Sequence, residues 1–146
     1  MTLDDALALR QGRRLVFTNG VFDILHAGHV RYLAQARALG NLLIVGVNAD
    51  ATVGKLKGPT RPVNPLEDRM AVLEALRAVD AAVAFSEDTP VEIIAWLRPE
   101  IHVKGGDYDI EAMPETPLVR SYGGEVVLMP FLEGRSTTAI LGRVAS

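Results

Sequence analysis

Hydrophobic positions along this chain fall into two alternating patterns. Short, nearly continuous apolar runs recur at Leu15–Thr18, Leu42–Asn48, Ala81–Phe85, Ile101–Lys104 and Glu125–Met129. Their length predicts strands. Between them, apolar residues return every three or four positions, as on a helix. Val30, Leu33, Ala34, Arg37 and Ala38 keep that period, and Gly40 is placed to end the helix. Asn64-Pro65-Leu66-Glu67 reads as a helix start, with a capping Asn, Pro at the first helical position and Glu at the third. Thr89-Pro90-Val91-Glu92 repeats the arrangement, and Pro99 follows the end of that helix.

Strands joined by single helices predict βαβ crossovers. The expected fold is therefore doubly wound α/β: a mainly parallel five-stranded sheet with helices on both faces. No repeat, low-complexity tract or composition break divides the chain, so residues 1–146 are expected to form one domain. In such sheets ligands bind beyond the carboxyl ends of the strands, near the topological switch point. Asn19–His29, Asp50–Arg61, Lys104–Tyr108 and Glu133–Thr138 all occupy such positions. Topology alone would bring these four segments to one edge.

Composition narrows the picture further. A hydrophobic content of 49% suits a folded soluble domain, and no apolar run approaches the ~18–20 residues of a membrane span. Met1-Thr2-Leu3-Asp4-Asp5 lacks the basic-then-apolar order of a signal peptide. The absence of cysteine excludes disulfides and thiolate–metal sites and fits a cytoplasmic protein. A net charge of −3 argues against a nucleic-acid partner. Only Lys55, Lys57 and Lys104 are lysines, and all three follow predicted strands, which suggests a local anion site in an acidic protein.

The most informative stretch is Thr18–Leu33, in which the first strand runs into Asn19-Gly20-Val21-Phe22-Asp23 and then His26-Ala27-Gly28-His29. A helix N-terminus presents unpaired N–H groups and about half a positive charge, and so attracts phosphate. Imidazoles at i and i+3 share one face of the first turn. Gly28 between them lets a ligand approach the backbone. A single histidine here would be read as a cap or a packed ring; H-x-G-H directly after a strand and turn points to a polyphosphate site. Other phosphate and hydrolase motifs are missing. There is no G-x-G-x-x-G after the first strand, no P-loop, no H-E-x-x-H and no nucleophile elbow. What remains is phosphate chemistry, and phosphoryl or nucleotidyl transfer needs reactants held in place and growing negative charge stabilised. His26 and His29 can donate to the phosphate oxygens, and Lys57 with Lys55 can lie across the phosphates as point charges on a loop. A phosphate monoester is largely dianionic at neutral pH, so as nucleophile it needs no general base. Gly134-Arg135-Ser136-Thr137-Thr138 precedes a last expected helix and by itself reads as an ordinary cap. His102 alternates with apolar neighbours on a strand and is expected to be structural.

TNGVFDILHAGH, NADATVGKLKG, RPVNPLEDRMAVLEAL, EDTP, VKGGDY and FLEGRSTT cover nearly the whole chain. Together they resemble the HxGH nucleotidyltransferases, the cytidylyltransferase-like superfamily, with its Rossmann-like fold. Within it they are most similar to the adenylyltransferase domain of bacterial ADP-heptose synthases. The resemblance implies transfer of AMP from ATP to D-glycero-β-D-manno-heptose 1-phosphate, giving ADP-heptose and pyrophosphate. It implies Mg²⁺ carried mainly by the nucleotide phosphates, with no metal ligand assigned to a side chain. It makes His26, His29 and Lys57 catalytic. Nucleotide contacts fall to Thr18, Asn19, Gly20, Phe22, Gly28, Lys55, Lys104, Gly105, Asp107, Ser136, Thr137 and Thr138, and substrate contacts to Asp23, Asp50, Arg61 and Arg69. It further implies a homodimer, and a separate sugar kinase, since many relatives carry a kinase domain that this length cannot hold. Glycerol-3-phosphate cytidylyltransferases share HxGH and STT but typically show Arg-Thr-Glu-Gly where this chain has Phe131-Leu132-Glu133-Gly134, and they lack Lys104–Tyr108. A cytidylyltransferase using a polyol phosphate is the alternative enzyme, and a non-catalytic ATP-sensing module the alternative of another class.

Overall fold

A computed structural model describes residues 1–106, 108–130 and Leu141. Five strands, β1 (Leu15–Gly20), β2 (Leu42–Asn48), β3 (Ala81–Phe85), β4 (Ile101–Gly105) and β5 (Glu125–Met129), form one sheet in the order β3-β2-β1-β4-β5. Every pairing is parallel. The chain steps outward from β1 through β2 to β3, then returns across β1 to β4. The switch point therefore lies between β1 and β4.

The side-chain alternation of the strands supplies two cores, one on each face. Val16, Leu43, Val45, Val47, Ala82 and Val103 face one side, packed with Leu33, Ala36 and Leu73. These last three come from α2 (Ala27–Arg37) and α4 (Leu66–Glu74). Leu15, Phe17, Leu42, Ile44, Ala81, Val83 and Phe85 face the other, against Ala6, Ile93, Ile94, Leu97 and Val119. Those come from α1 (Leu3–Arg10), α5 (Val91–Leu97) and α6 (Thr116–Ser121). Gly46 in β2 is required by this packing: a Cβ there would lie 2.7 Å from the Phe17 ring.

The expected strands stand, while several local expectations about helices do not. Residues 50–57, expected as a loop carrying Lys55 and Lys57, form α3 (Asp50–Lys57). Asn64 does not cap α4, whose N-cap is Pro65. Its side chain instead donates to the carbonyl of Asp23, a long-range bond displacing a local one. Thr89 likewise makes no cap for α5, which begins from Pro90. Gly40 is not a left-handed terminator, since α2 ends at Ala38 in the right-handed region. Its small size serves close packing, because a Cβ would come within 2.5 Å of the Arg14 carbonyl oxygen. A short 3₁₀ turn at Ile110–Ala112 precedes α6. Among the described residues no helix is long and apolar enough to cross a membrane.

Candidate active site

β1 keeps register with β2 over six residues, Leu15 to Gly20, but with β4 over only two, Val16↔Ile101 and Phe17↔His102. Where β1 and β4 part, polar groups hold them. The Tyr32 hydroxyl, reaching in from α2, meets Thr18 Oγ1 at 2.5 Å and donates to the Val103 carbonyl at 3.2 Å. Beyond this wedge the strand ends open into a crevice of about 610 Å³, within the usual range for a small-molecule site. Its walls come from Asn19–Asp23, the start of α2, the end of α3, and the segments after β4.

The turn from β1 to α2 shapes one wall. Phe22 adopts φ +50, a left-handed conformation that costs a non-glycine residue about 1–2 kcal/mol. The turn lays its ring against His29, with centroids 5.4 Å apart, and sends Asp23 inward. His26 caps α2, its Nδ1 accepting from the Gly28 N–H at 3.0 Å. In a neutral ring that bond places the proton on Nε2. His29, one turn on, stacks on His26 at 3.9 Å between ring centroids. Burial, seconded by the charge of His26, lowers the His29 pKa from 6.5 to about 4. His29 is thus neutral at physiological pH and can donate a hydrogen bond without carrying charge. His29 Nδ1 and Asn19 Oδ1 are buried and have no hydrogen-bond partner among the described residues. An unpaired buried polar group costs roughly 1–3 kcal/mol, and both of these residues line the crevice.

Cationic side chains approach from a helix end and a strand end. Lys57 at the end of α3 and Lys104 at the end of β4 both line the crevice. Lys104 Nζ lies 4.8 Å over the Tyr108 ring. Burial lowers its pKa, and the nearby Glu115 carboxylate opposes that effect. Glu115 lines the same crevice and is bonded to buried His102 at 3.0 Å. Burial alone would raise the Glu115 pKa; the His102 hydrogen bond and the Lys104 charge hold it below the ordinary value.

Of the residues expected from sequence, Asn19, Gly20, Phe22, Asp23, His26, Gly28, His29, Lys57, Arg61, Lys104 and Gly105 all line this crevice. Others are placed elsewhere. Thr18 is buried beneath it against Tyr32. Lys55 pairs on the surface with Asp88 at 3.1 Å. Arg69, expected to touch phosphate or substrate, is 1% exposed and wholly engaged inside the protein. It donates to the carbonyls of Asn64 and Val21 and to Asp50 Oδ1. It braces α3 and the β1 turn, and Asp50, half-exposed, is its partner there. Asp107, Ser136, Thr137, Thr138 and the expected helix after them lie outside the described residues. Sequence reasoning missed Tyr32, although it sits one helical turn beyond His29 on the face that meets the sheet. It also missed Asn48 and Glu115, which line the crevice and carry no local motif.

A parallel doubly wound sheet, opened at its switch point onto a helix N-terminus, paired imidazoles and lysines, defines a nucleotide-handling α/β domain. The Cytidylyltransferase-like family model matches residues 17–140, and the chain belongs to that family. Among its relatives, the D-beta-D-heptose 1-phosphate adenylyltransferase of Bordetella bronchiseptica is 58% identical over 136 residues, covering 92% of this chain and 84% of that one. The bifunctional protein HldE of Hahella chejuensis is 54% identical over 144 residues, but this chain spans only 30% of its length. Among solved structures, the lipopolysaccharide core biosynthesis protein of Thermoplasma volcanium superposes with a TM-score of 0.67 at 29% identity, covering 83% of this chain and 98% of that one. Pantothenate synthetase of Thermus thermophilus shares the fold, with a TM-score of 0.65 at 16% identity, covering 90% of this chain and 60% of that one.

Proposed function

We infer that this protein is an adenylyltransferase that transfers AMP from ATP to D-glycero-β-D-manno-heptose 1-phosphate. The observation that carries the chemistry is the stacked His26–His29 pair on the first turn of α2, facing the crevice where β1 and β4 part. The adenylyl type and the sugar rest on the 58% identity to the heptose 1-phosphate adenylyltransferase.

In this reading the triphosphate of ATP lies against the N-terminus of α2. An oxygen of the sugar phosphate attacks the α-phosphorus in line; the new P–O bond forms as the bond to the bridging oxygen of pyrophosphate breaks. The phosphate nucleophile is already deprotonated, so no general base is needed. His26 and His29 donate hydrogen bonds to oxygens that gain charge in the transition state. Lys57 and Lys104 neutralise the phosphates, and Gly20, Gly28 and Gly105 let the nucleotide approach the backbone. Asn19 and Phe22 shape the wall beside it.

The described residues contain no cluster of three or more carboxylate, imidazole or thiol side chains able to hold a metal. The donor-rich crevice fits a metal that arrives already bound to ATP. Mg²⁺ would then be held mainly by phosphate oxygens and would spread their charge. We further propose that the enzyme works in the cytoplasm as a homodimer, in a pathway that also uses a sugar kinase.

Purified protein with ATP, Mg²⁺ and heptose 1-phosphate is expected to release pyrophosphate and form ADP-heptose. Turnover with CTP and glycerol 3-phosphate in its place would establish the cytidylyl alternative. Tight ATP binding with no turnover on any sugar or polyol phosphate would establish a sensing module instead.

A further inference from the structure

Asp23 and Arg61 were both expected to touch the substrate, yet the structure separates their roles. The Asp23 side chain is fully shielded from solvent. Its Oδ2 accepts from Arg61 Nε at 2.7 Å and from the Val63 N–H at 2.8 Å, and its Oδ1 from the Asn64 N–H at 2.8 Å. Asn64 Nδ2 closes the loop by donating to the Asp23 carbonyl at 2.6 Å. With three donors on its two oxygens, this carboxylate is committed to the protein.

Arg61 is the reverse case. Its side chain is 12% exposed and lines the crevice. Only Nε is engaged; neither Nη group makes a hydrogen bond to a described residue. A guanidinium has five N–H donors in a rigid plane, and two Nη groups match two oxygens of a phosphate. Arg69 provides the internal contrast, with Nε and both Nη groups bonded inside the protein.

We propose that Asp23 is a positioning residue, which fixes the plane of Arg61 so that the Nη edge forms a fork for a phosphate group in the crevice. The proposal rests on the adenylyl-transfer reading of the site. Asp23 stays ionised there: burial would raise its pKa, but the Asn64 and Val63 amides and Arg61 together hold it below the ordinary value. The phosphate could belong to ATP or to the acceptor sugar, and separate KM values distinguish them.

The test measures kcat, the KM for ATP, the KM for heptose 1-phosphate and Tm in five proteins: wild type, Arg61→Ala, Arg61→Lys, Asp23→Asn and the Asp23→Asn/Arg61→Ala double variant. Arg61→Ala is expected to raise one of the two KM values about 10–100-fold, the usual range for losing a charge-assisted bidentate contact. Arg61→Lys should recover little of it, because a point charge lacks the fork. Asp23→Asn should raise the same KM and leave the other unchanged. The double variant should be no worse than Arg61→Ala, since Asp23 acts through Arg61. Additive losses, a loss in the other KM, or an Arg61→Ala enzyme with both KM values unchanged would overturn the proposal. If Asp23→Asn fails to fold, Arg61→Lys decides: wild-type KM values would eliminate the fork, and alanine-like values support it. Wild-type protein that turns over no sugar phosphate would count against the adenylyl-transfer reading itself, an outcome distinct from any of these variant patterns.

Discussion

The two flanks of β1 are opposites. Toward β2 the strand is zipped over six register pairs, and the seam is so tight that Gly46 has no room for a Cβ beside Phe17. Toward β4 the ladder closes for two residues and then gives way to the Tyr32 hydroxyl, a left-handed Phe22 and two stacked histidines. One flank is optimised for apolar packing, the other keeps buried polar atoms and backbone strain. Strain and unpaired groups persist in folded proteins mainly where function requires them. The contrast therefore marks the open flank as the site more firmly than any single residue does.

The largest expected effect breaks the open flank. His26→Ala and His29→Ala should each lower kcat by ~10²–10³-fold, the usual loss for one preorganised donor to a charged transition state. ATP affinity should change far less, because backbone amides and lysines still hold the phosphates. Steady-state kinetics together with ATP calorimetry check this. Rings that merely cap and pack would lower Tm and leave kcat intact.

Breaking the closed flank should have the opposite profile. Gly46→Val forces new methyl groups against Phe17 and Phe85 and is expected to cost about 1–3 kcal/mol of stability. Chemical denaturation measures the loss, with kcat per folded molecule unchanged. Tyr32→Phe lies between the two flanks. It removes the hydroxyl that bridges Thr18 and Val103, for about 1–2 kcal/mol. Because the wedge sets the width of the opening, the KM for ATP should rise as well.

The last effect concerns pH. His29 titrates near 4 when folded and near 6.5 when unfolded. Between those values the unfolded chain binds the extra proton, so stability falls as pH drops from about 6.5 to about 4 and then levels for this group. Denaturation midpoints across that window should show the slope, and His29→Gln should flatten it.

The sequence made the frame of this contrast legible and left the wedge obscure. All five strands are readable because each is a short, nearly continuous apolar run, although β5 is only half-buried in the fold. The H-x-G-H turn is readable because a helix start and its histidines are local. Helix α3 is not, since Gly54 and two lysines interrupt its apolar face, and α1 is signalled only by the capping box of Thr2 and Asp5. Side chains with distant partners are the hardest to read, for one shared reason. Asn64 looks like a cap until the carbonyl of Asp23, 41 residues away, is seen to accept from its side-chain amide. Nothing near Arg69 along the chain signals Val21, 48 residues away, whose carbonyl accepts from its Nη1. Tertiary competition overrides local propensity there, and no window along the chain contains both partners.

The chain has three histidines, which makes one measurement especially direct. Imidazole ¹⁵N resonances followed by NMR during an ATP titration report at once on the mouth of the open flank and on the paired rung at its base. His26 and His29 are expected to shift and saturate together at the ATP dissociation constant. His102, sealed between Phe17 and Glu115 on the last paired rung of β1 and β4, should stay in place. ATP that binds while His26 and His29 remain unmoved would contradict the placement of the nucleotide in this crevice.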